Sequence, residues 1–423
     1  MRALRLILNL ALFVSLVAAA APAQEAGAAE REQRLFAQID SMLAAIERIT
    51  GIKAIEPIPA SFMTREEVNE LIKSRLDEES SDEEIRQEEL FLKIFGFVEA
   101  DFDLRDEIVD VMTEQAAALY DYKTKKLYVS SWASDDLQEY ALVHELAHAV
   151  ADQHFDLQKF TDASEDFDGD LARSAVIEGQ ASWVMHEYAQ ERIGRSLLSN
   201  RLLAVAAASA SRVEVDNFPV YSASPLYIRE SLMFPYADGL MFQQTAIEEL
   251  GPRGFTKIFL DPPTTTQHIL EPKTWIAKRK PTQPKLPELR LKGLERSSHG
   301  RIGQLDHFVL LKQYSGESTA RRLADSWRGA HYEIFENEDH SRAVLRYVSE
   351  WADAAAAASF FNEYVDVCRE KWSNFEKSVC GGAACRGTSE TGAFVLTLEG
   401  AVVTALEGLP EDAIESGSNR EVD

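Results

Sequence analysis

The segment LVHELAHAVADQHF, residues 142–155, decides the fold that we expect for this chain. It places His144 and His148 four positions apart, with Glu145 between them. On an α-helix, residues four apart lie on one face with Cβ atoms about 5–6 Å apart, so both imidazoles can point at one metal ion. Ser134 to Asp136 are good N-cap residues, and we predict that a helix carrying the motif begins there.

Glu145 projects about 100° around this helix from His144, which places its carboxylate beside the metal rather than on it. A general base that deprotonates a water molecule needs that position. The residues around the motif are apolar and predict a buried helix: Leu142, Val143, Leu146, Ala147 and Val150. Because buried imidazoles and a buried carboxylate are costly without partners, we expect a divalent cation here, and the H-E-x-x-H pattern indicates Zn2+.

A catalytic zinc site needs a third protein ligand and one open position, and His154 is the first candidate for the third ligand. His154 lies ten residues after His144, a spacing that resembles the metzincin peptidases, but Ala151 stands where they carry Gly. The Gly lets the helix end and the chain turn back toward the metal. If the helix instead continues through Ala151, His154 faces elsewhere.

Glu178 is the second candidate for the third ligand, thirty residues after His148 in AVIEGQASW. This arrangement resembles the gluzincins, in which a Glu on a second helix completes the site. We favour Glu178 because its apolar neighbours leave the carboxylate in need of a buried partner. Gly179 and Ala181 would also let this helix approach the motif helix closely. His154 is then a structural residue or supports the ligands together with Asp152.

Tyr236 is the candidate for stabilising the oxyanion that forms when water attacks a carbonyl. In FPYADG it precedes Gly239 by three residues, at an expected helix start. The pattern resembles the Tyr-x-x-Gly of aminopeptidase N-type gluzincins, although Asp238 stands where they carry Lys. A plain core Tyr is the alternative for Tyr236, and other residues could take the catalytic role: Tyr221, Tyr227 and His268.

Four blocks of sequence together resemble a family of exported zinc metallopeptidases from bacteria and archaea. In chain order they are LVHELAHAVADQHFDL, VIEGQAS, FPYADGLMF and DPPTTTQHILEPKTW, and they span residues 142–275. The resemblance implies a gluzincin-like catalytic domain in which His144, His148 and Glu178 hold zinc and Glu145 is the base. It implies no particular substrate, and it does not extend to residues 300–423.

The first residues, MRALRLILNLALFVSLVAAAAPAQ, place Arg2 and Arg5 ahead of an apolar run that ends in small residues. This layout is typical of a signal peptide and predicts export, to the periplasm or the outside of the cell, with cleavage near Ala23. No later stretch is apolar enough for a membrane span. A net charge of −26 over 423 residues argues against nucleic acid or anionic lipid as partners, because both need a concentrated basic face.

Changes in composition and the positions of Pro and Gly divide the chain into six segments. They are a signal peptide at 1–23, a helical arm or pro-segment at 24–60, a metallopeptidase domain at 61–275, a linker rich in Pro, Lys and Arg at 276–299, an α+β accessory domain at 300–410, and an acidic disordered tail at 411–423. The cysteines all lie near the C-terminus and allow one disulfide without identifying the pair: Cys368, Cys380 and Cys385.

Local patterns predict several further elements. Residues 31–51 predict one amphipathic helix, Thr64 with Glu67 predicts a capping box, and residues 108–130 predict two strands around a turn, the first running to Tyr122. Helices are expected at 171–193, 237–250, 318–327 and 352–371, and strands in AHYEIFEN, RAVLRYVSEW and GAFVLTLEGAVVTAL.

We therefore expect an α+β protein: a mostly helical, zincin-like domain with a small sheet, followed by a smaller α+β domain. Its expected function is exported zinc metallopeptidase, acting on peptides or proteins, with Glu145 as base and Tyr236 holding the oxyanion. The strand pair near 117–130 would flank the cleft and could pair with an extended peptide. The rival is a non-catalytic exported binding or assembly protein with structural or vestigial zinc. Glu145 argues against it, since a structural site would close with a fourth protein ligand and needs no base.

Overall fold

The computed structural model describes residues 11–14, 28–132, 134–212, 218–286, 289 and 292–410. These residues form two compact units. Unit 1 takes the described residues up to Ile85, then Asp103–Glu165 and Gly169–Ala277. Unit 2 takes Arg86–Phe102, Asp166–Asp168 and the described residues from Lys278 onward. The predicted acidic tail, 411–423, and most of the predicted signal peptide lie outside the described residues.

Helices and strands alternate along the described chain. The helices are α1 (Ala28–Phe36), α2 (Ile39–Thr50), α3 (Arg65–Glu79), α4 (Asp82–Phe95), α5 (Leu104–Gln115), α6 (Asp135–Phe155), α7 (Leu157–Asp162), α8 (Phe167–Glu191), α9 (Arg201–Ala210), α10 (Pro219–Ala223), α11 (Leu226–Leu250), α12 (Gly254–Leu260), α13 (Thr266–Leu270), α14 (Pro272–Ile276), α15 (Gln304–Ser315), α16 (Glu317–Ala324) and α17 (Ala354–Lys371). The strands are β1 (Ala11–Val14), β2 (Ala60–Met63), β3 (Ala116–Asp121), β4 (Lys126–Ser130), β5 (Glu295–Arg301), β6 (Trp327–Glu336), β7 (Ala343–Trp351), β8 (Glu376–Gly381), β9 (Ala384–Ser389), β10 (Gly392–Glu399) and β11 (Val402–Leu409).

Unit 1 holds a four-stranded sheet in the order β1-β3-β4-β2. β3 and β4 form an antiparallel hairpin in which Tyr120 pairs with Leu127, while β2 runs parallel to β4. On the other edge of β3, the β1 residue Ala11 pairs antiparallel with Tyr120. β1 lies inside the predicted signal peptide. Removal of that peptide would take away the strand that pairs with this edge of β3.

The prediction of two strands over 108–130 is wrong for its first eight residues. Residues 108–115 belong to α5, which Asp103 caps by accepting a hydrogen bond from the Asp106 amide. The buried side chains of α5 recur at helical rather than alternating spacing: Leu104, Ile108, Val111 and Met112. The second half of the prediction is confirmed, since β3 and β4 are strands joined by a turn at Tyr122 to Lys125.

Two helices, α1 and α2, replace the single amphipathic helix predicted over residues 31–51. The break falls at Ala37 and Gln38, and α2 ends at Gly51, whose φ of 73° is the left-handed conformation that glycine adopts without strain. The capping box of Thr64 and Glu67 is confirmed at the start of α3, where each side chain bonds the other residue's backbone amide.

Unit 2 is built on a seven-stranded antiparallel sheet in the order β5-β6-β7-β11-β10-β9-β8. The strands and helices expected beyond residue 300 are present, and the mixed α+β architecture is confirmed. Helix α15 and strands β5, β8 and β9 were not predicted, and β5 occupies the end of the segment predicted as a linker. Cys380 and Cys385 form a disulfide across the β8–β9 hairpin, and Cys368 is a buried free thiol.

Among the described residues, no helix combines the length and the apolar character that a membrane crossing requires. The longest helices, α8 and α11, carry charged and amide side chains along their length.

Candidate metal centre

Helix α6 positions the H-E-x-x-H motif. It begins after Ser134, as predicted, and continues without a break to Phe155. The apolar residues around the motif are buried, as the pattern predicted: Leu142, Val143, Leu146, Ala147 and Val150. One helical turn separates His144 from His148, and their ring centroids lie 4.6 Å apart, nearly edge to face. The two imidazoles therefore point into the same small volume.

Glu178, on the neighbouring helix α8, reaches both imidazoles. Its Oε2 lies 3.0 Å from Nε2 of His144 and 3.3 Å from Nε2 of His148. Tetrahedral zinc with ligand bonds of about 2.0–2.2 Å holds neighbouring ligand atoms about 3.3 Å apart. The Glu178 oxygen is thus about as far from each imidazole nitrogen as two ligand atoms of one zinc ion are from each other, and none of the three side chains is more than 2% exposed. Their donor set, two nitrogens and one oxygen, is one that zinc accepts.

Glu145 lies beside these three residues and is fully buried. A side-chain nitrogen of His144, a side-chain nitrogen of His148 and a carboxylate oxygen of Glu145 all lie within 4.8 Å of one another. Neither carboxylate oxygen of Glu145 makes a hydrogen bond to the described residues. Burial of a carboxylate with so few polar contacts is costly, and a cation or a water molecule bound beside it would lower that cost.

Burial governs the protonation of the whole group. It lowers the pKa of His144 to about 4 and that of His148 to about 3, so both imidazoles are neutral near pH 7, as metal ligation requires. Burial and the charge of Glu178 raise the pKa of Glu145 well above its ordinary value, and the backbone amide of Tyr120 opposes this rise. Burial also raises the pKa of Glu178, against the effects of His144 and Tyr236. Positive charge at the centre would favour ionisation of both carboxyls.

A glycine contact between α8 and α11 brings Glu178 and Tyr236 together. A Cβ added at Gly179 would lie 2.2 Å from the backbone carbon of Gly239, and one at Gly239 would lie 2.3 Å from the backbone oxygen of Ala175. The expectation that Gly179 serves the approach of α8 to α6 is therefore wrong, because Gly179 faces α11. Only glycine at both positions allows backbones this close.

Tyr236 lies in the middle of α11, one residue after Pro235, and the expected helix start at this position is wrong. The predicted helix at 237–250 in fact begins eleven residues earlier, at Leu226. The Tyr236 ring stacks near the His144 ring, with centroids 6.0 Å apart. Its hydroxyl bonds the Glu178 carboxylate and lowers the pKa of that group. Tyr236 is thus at the centre, and its hydroxyl contacts a ligand residue.

His154 is remote from the three converging side chains. It is exposed, and its Nε2 lies 2.7 Å from the backbone oxygen of Lys53. The physical reason is the continuous helix through Ala151, which turns His154 away from the face of His148. His154 therefore binds the chain before β2 and is not placed to act as a metal ligand.

Asp152 supports the site from one turn beyond His148. It is buried and binds the hydroxyl of Tyr120 at 2.9 Å and the ammonium of Lys125 at 2.7 Å. Its charge raises the pKa of His148 against the effect of burial. The expected pairing of Asp152 with His154 is replaced by a contact with the β3–β4 hairpin, which joins this hairpin to the motif helix.

The other candidates for stabilising the oxyanion make contacts outside the group of ligand residues, as far as their contacts are described. His268 Nδ1 accepts a hydrogen bond from the Thr264 amide at 3.2 Å, and the Tyr221 amide donates to Glu114 at 2.9 Å. Tyr227 is fully buried in α11. None of the contacts described for these three residues involves His144, His148 or Glu178.

Two residues near the centre were missed at the level of sequence. Tyr122 follows β3, and the carboxylates of Glu178 and Glu145 act on its hydroxyl. His186, two turns after Glu178 on α8, lies close enough to His144 to lower its pKa. The spacing of Tyr122 two residues after Tyr120, at the end of a predicted strand, was the available signal for Tyr122.

Comparison with known proteins identifies one family. Residues 290–417 match a family model described as Domain of unknown function (DUF8575). This match covers less than half of the chain, lies at its C-terminal end, and does not include the residues of the metal centre. No curated protein and no solved structure matches the chain significantly.

Proposed function

We propose that this protein is an exported zinc metallopeptidase with a gluzincin-like site. The observation that carries the proposal is the convergence of His144, His148 and Glu178 on one point, beside the buried carboxylate of Glu145. Three protein ligands with a base beside them are typical of catalytic zinc, whereas structural zinc is typically closed by four protein ligands. The resemblance of the four sequence blocks to exported zinc metallopeptidases supports the same function.

Bound zinc would polarise the scissile carbonyl and acidify the attacking water. His144, His148 and Glu178 would hold the ion, since Glu178 Oε2 is at contact distance from both imidazole nitrogens. Glu145 takes one proton from the water as the water oxygen bonds to the carbonyl carbon and the carbonyl π electrons move to its oxygen. Glu145 then passes that proton to the amide nitrogen as the carbon–nitrogen bond breaks.

The β3 edge is the proposed docking position for an extended substrate. The Tyr120 backbone amide acts on Glu145, so the end of β3 lies next to the proposed base. The far edge of β3 pairs with Ala11–Val14, which shows that a strand can bind there in antiparallel register. Cleavage of the predicted signal peptide would remove that strand and leave the edge for a peptide, by strand addition.

Two single variants, Glu178→Ala and His154→Ala, test which residue is the third metal ligand. Loss of one ligand should weaken zinc binding by more than about a hundredfold, since loss of an outer partner alone costs about 10–100-fold. His154→Ala should bind zinc like the wild type, because the exposed His154 ring lies against the backbone oxygen of Lys53 and faces away from His148. Zinc affinity is measured by competition with a chromophoric chelator. Weak binding by His154→Ala with normal binding by Glu178→Ala would reverse the ligand assignment.

Peptide hydrolysis tests the function itself. Purified protein without its signal peptide should hold zinc, cleave members of a proteome-derived peptide library, lose this activity with a chelator and regain it with added zinc. Stoichiometric zinc without cleavage of any library peptide would instead favour the rival function, an exported binding or assembly protein on a zincin fold.

A further inference from the structure

Tyr122 carries a buried hydroxyl that has no hydrogen-bond partner among the described residues. The side chain is 6% exposed and follows directly after β3. Buried polar groups in folded proteins are nearly always paired, and an exception needs an explanation such as a missing ligand or water. The phenol of Tyr122 therefore has a buried donor that no described residue of unit 1 pairs with.

The charges of the proposed catalytic centre act on the hydroxyl of Tyr122. The charges that act on it most strongly are those of Glu178 and then Glu145, and with burial they raise its pKa well above the ordinary value. Its ring lies 5.8 Å from that of Tyr120, whose hydroxyl bonds Asp152, one helical turn after His148, at 2.9 Å. Tyr122 thus lies on the strand side of the centre, next to the edge where an extended peptide would lie.

The two tyrosines of the centre differ in what their hydroxyls contact. The Tyr236 hydroxyl bonds the carboxylate of Glu178, a proposed metal ligand. The Tyr122 hydroxyl bonds no described residue. A donor that stabilises an oxyanion must be free to meet an oxygen that arrives with the substrate.

We propose that Tyr122, rather than Tyr236, donates the hydrogen bond to the oxygen of the scissile peptide carbonyl as that oxygen becomes negatively charged. Tyr236 is then a positioning residue that holds Glu178 in its ligand orientation. The proposal rests on the peptidase function proposed above, and it reverses the role that the Tyr-x-x-Gly pattern indicated for Tyr236.

Tyr122→Phe and Tyr236→Phe should impair different properties, turnover in the first and zinc binding in the second. Tyr122→Phe should lower kcat/KM for a peptide by about 10²–10³-fold, the usual effect of losing one oxyanion donor, and leave zinc affinity unchanged. Tyr236→Phe should weaken zinc binding by about 10–100-fold, because the ligand loses its outer partner. Tyr188→Phe, on α8 with its hydroxyl on Glu139, is the matched control and should resemble the wild type in both measurements.

Two readouts do not depend on turnover. The metal-free Tyr122→Phe protein should resist urea at least as well as the wild type, because the change removes an unpaired buried hydroxyl, whereas Tyr236→Phe should unfold at lower urea. A phosphinic peptide, which mimics the tetrahedral intermediate, should bind zinc-loaded Tyr122→Phe about 10²-fold more weakly by calorimetry.

The proposal would be overturned if Tyr122→Phe had the kcat/KM and the phosphinic-peptide affinity of the wild type. It would also be overturned if Tyr122→Phe unfolded at lower urea but turned over normally, because the hydroxyl would then have a structural role. Loss of turnover in Tyr236→Phe at full zinc occupancy would return the oxyanion role to Tyr236. If the zinc-loaded wild type hydrolyses no peptide, the peptidase function fails and the role of Tyr122 fails with it, so the wild-type assay distinguishes the two failures.

Discussion

Glu145→Gln should retain zinc and hydrolyse peptides about 10²–10⁴-fold more slowly than the wild type, the usual contribution of general base catalysis. Glutamine has the shape of glutamate but cannot accept the proton of the attacking water. Neither oxygen of Glu145 bonds a described residue, so the amide breaks no hydrogen bond that the structure shows. Zinc content and turnover, measured on the same preparation, separate loss of the base from loss of the metal.

The charge change in Glu145→Gln gives a second expectation. Burial and the charge of Glu178 raise the pKa of Glu145, so a neutral residue at position 145 should stabilise the metal-free protein. Glu139→Gln is the matched control, since Glu139 lies on the same helix and pairs with Arg192 at its outer side. Glu139→Gln should hydrolyse peptides normally. Normal turnover in Glu145→Gln would rule out the proposed mechanism.

Gly239→Ala should lower the free energy of unfolding by about 3 kcal/mol, the upper end of the usual cost of overpacking, and weaken zinc binding. The new Cβ would lie 2.3 Å from the backbone oxygen of Ala175, and a backbone atom cannot rotate away as a side chain can. The two helices α8 and α11 must therefore separate, and Glu178 moves with α8. Chemical denaturation and zinc affinity measure the two effects.

Gly381→Ala is the control for this substitution. Gly381 has an ordinary backbone conformation, and nothing lies within 4 Å of the position of an added Cβ. This variant should unfold and bind zinc like the wild type. If Gly239→Ala also behaved like the wild type, the close contact of Gly179 with Gly239 would not be what positions Glu178.

Helices and strands with strong periodicity could be predicted from sequence, and the exception at residues 108–115 has a tertiary cause. The long motif helix α6 and the C-terminal strands β6, β7, β10 and β11 lie where their patterns indicated. Residues 108–115 looked like a strand because they combine β-branched residues with an adjoining apolar strand, yet α5 buries them at helical spacing. Tertiary packing outweighed the local preference there.

The sequence by itself determined that His144 and His148 share one helix face with Glu145 beside them, because spacing along a helix sets direction. It also indicated that a continuous helix through Ala151 would turn His154 away. Only the tertiary structure decided that Glu178 Oε2 meets both imidazoles, that Gly179 packs on Gly239, and that no described residue pairs with the Tyr122 hydroxyl. These contacts join residues far apart in the chain, and their distances depend on how helices and strands pack, which no local pattern encodes.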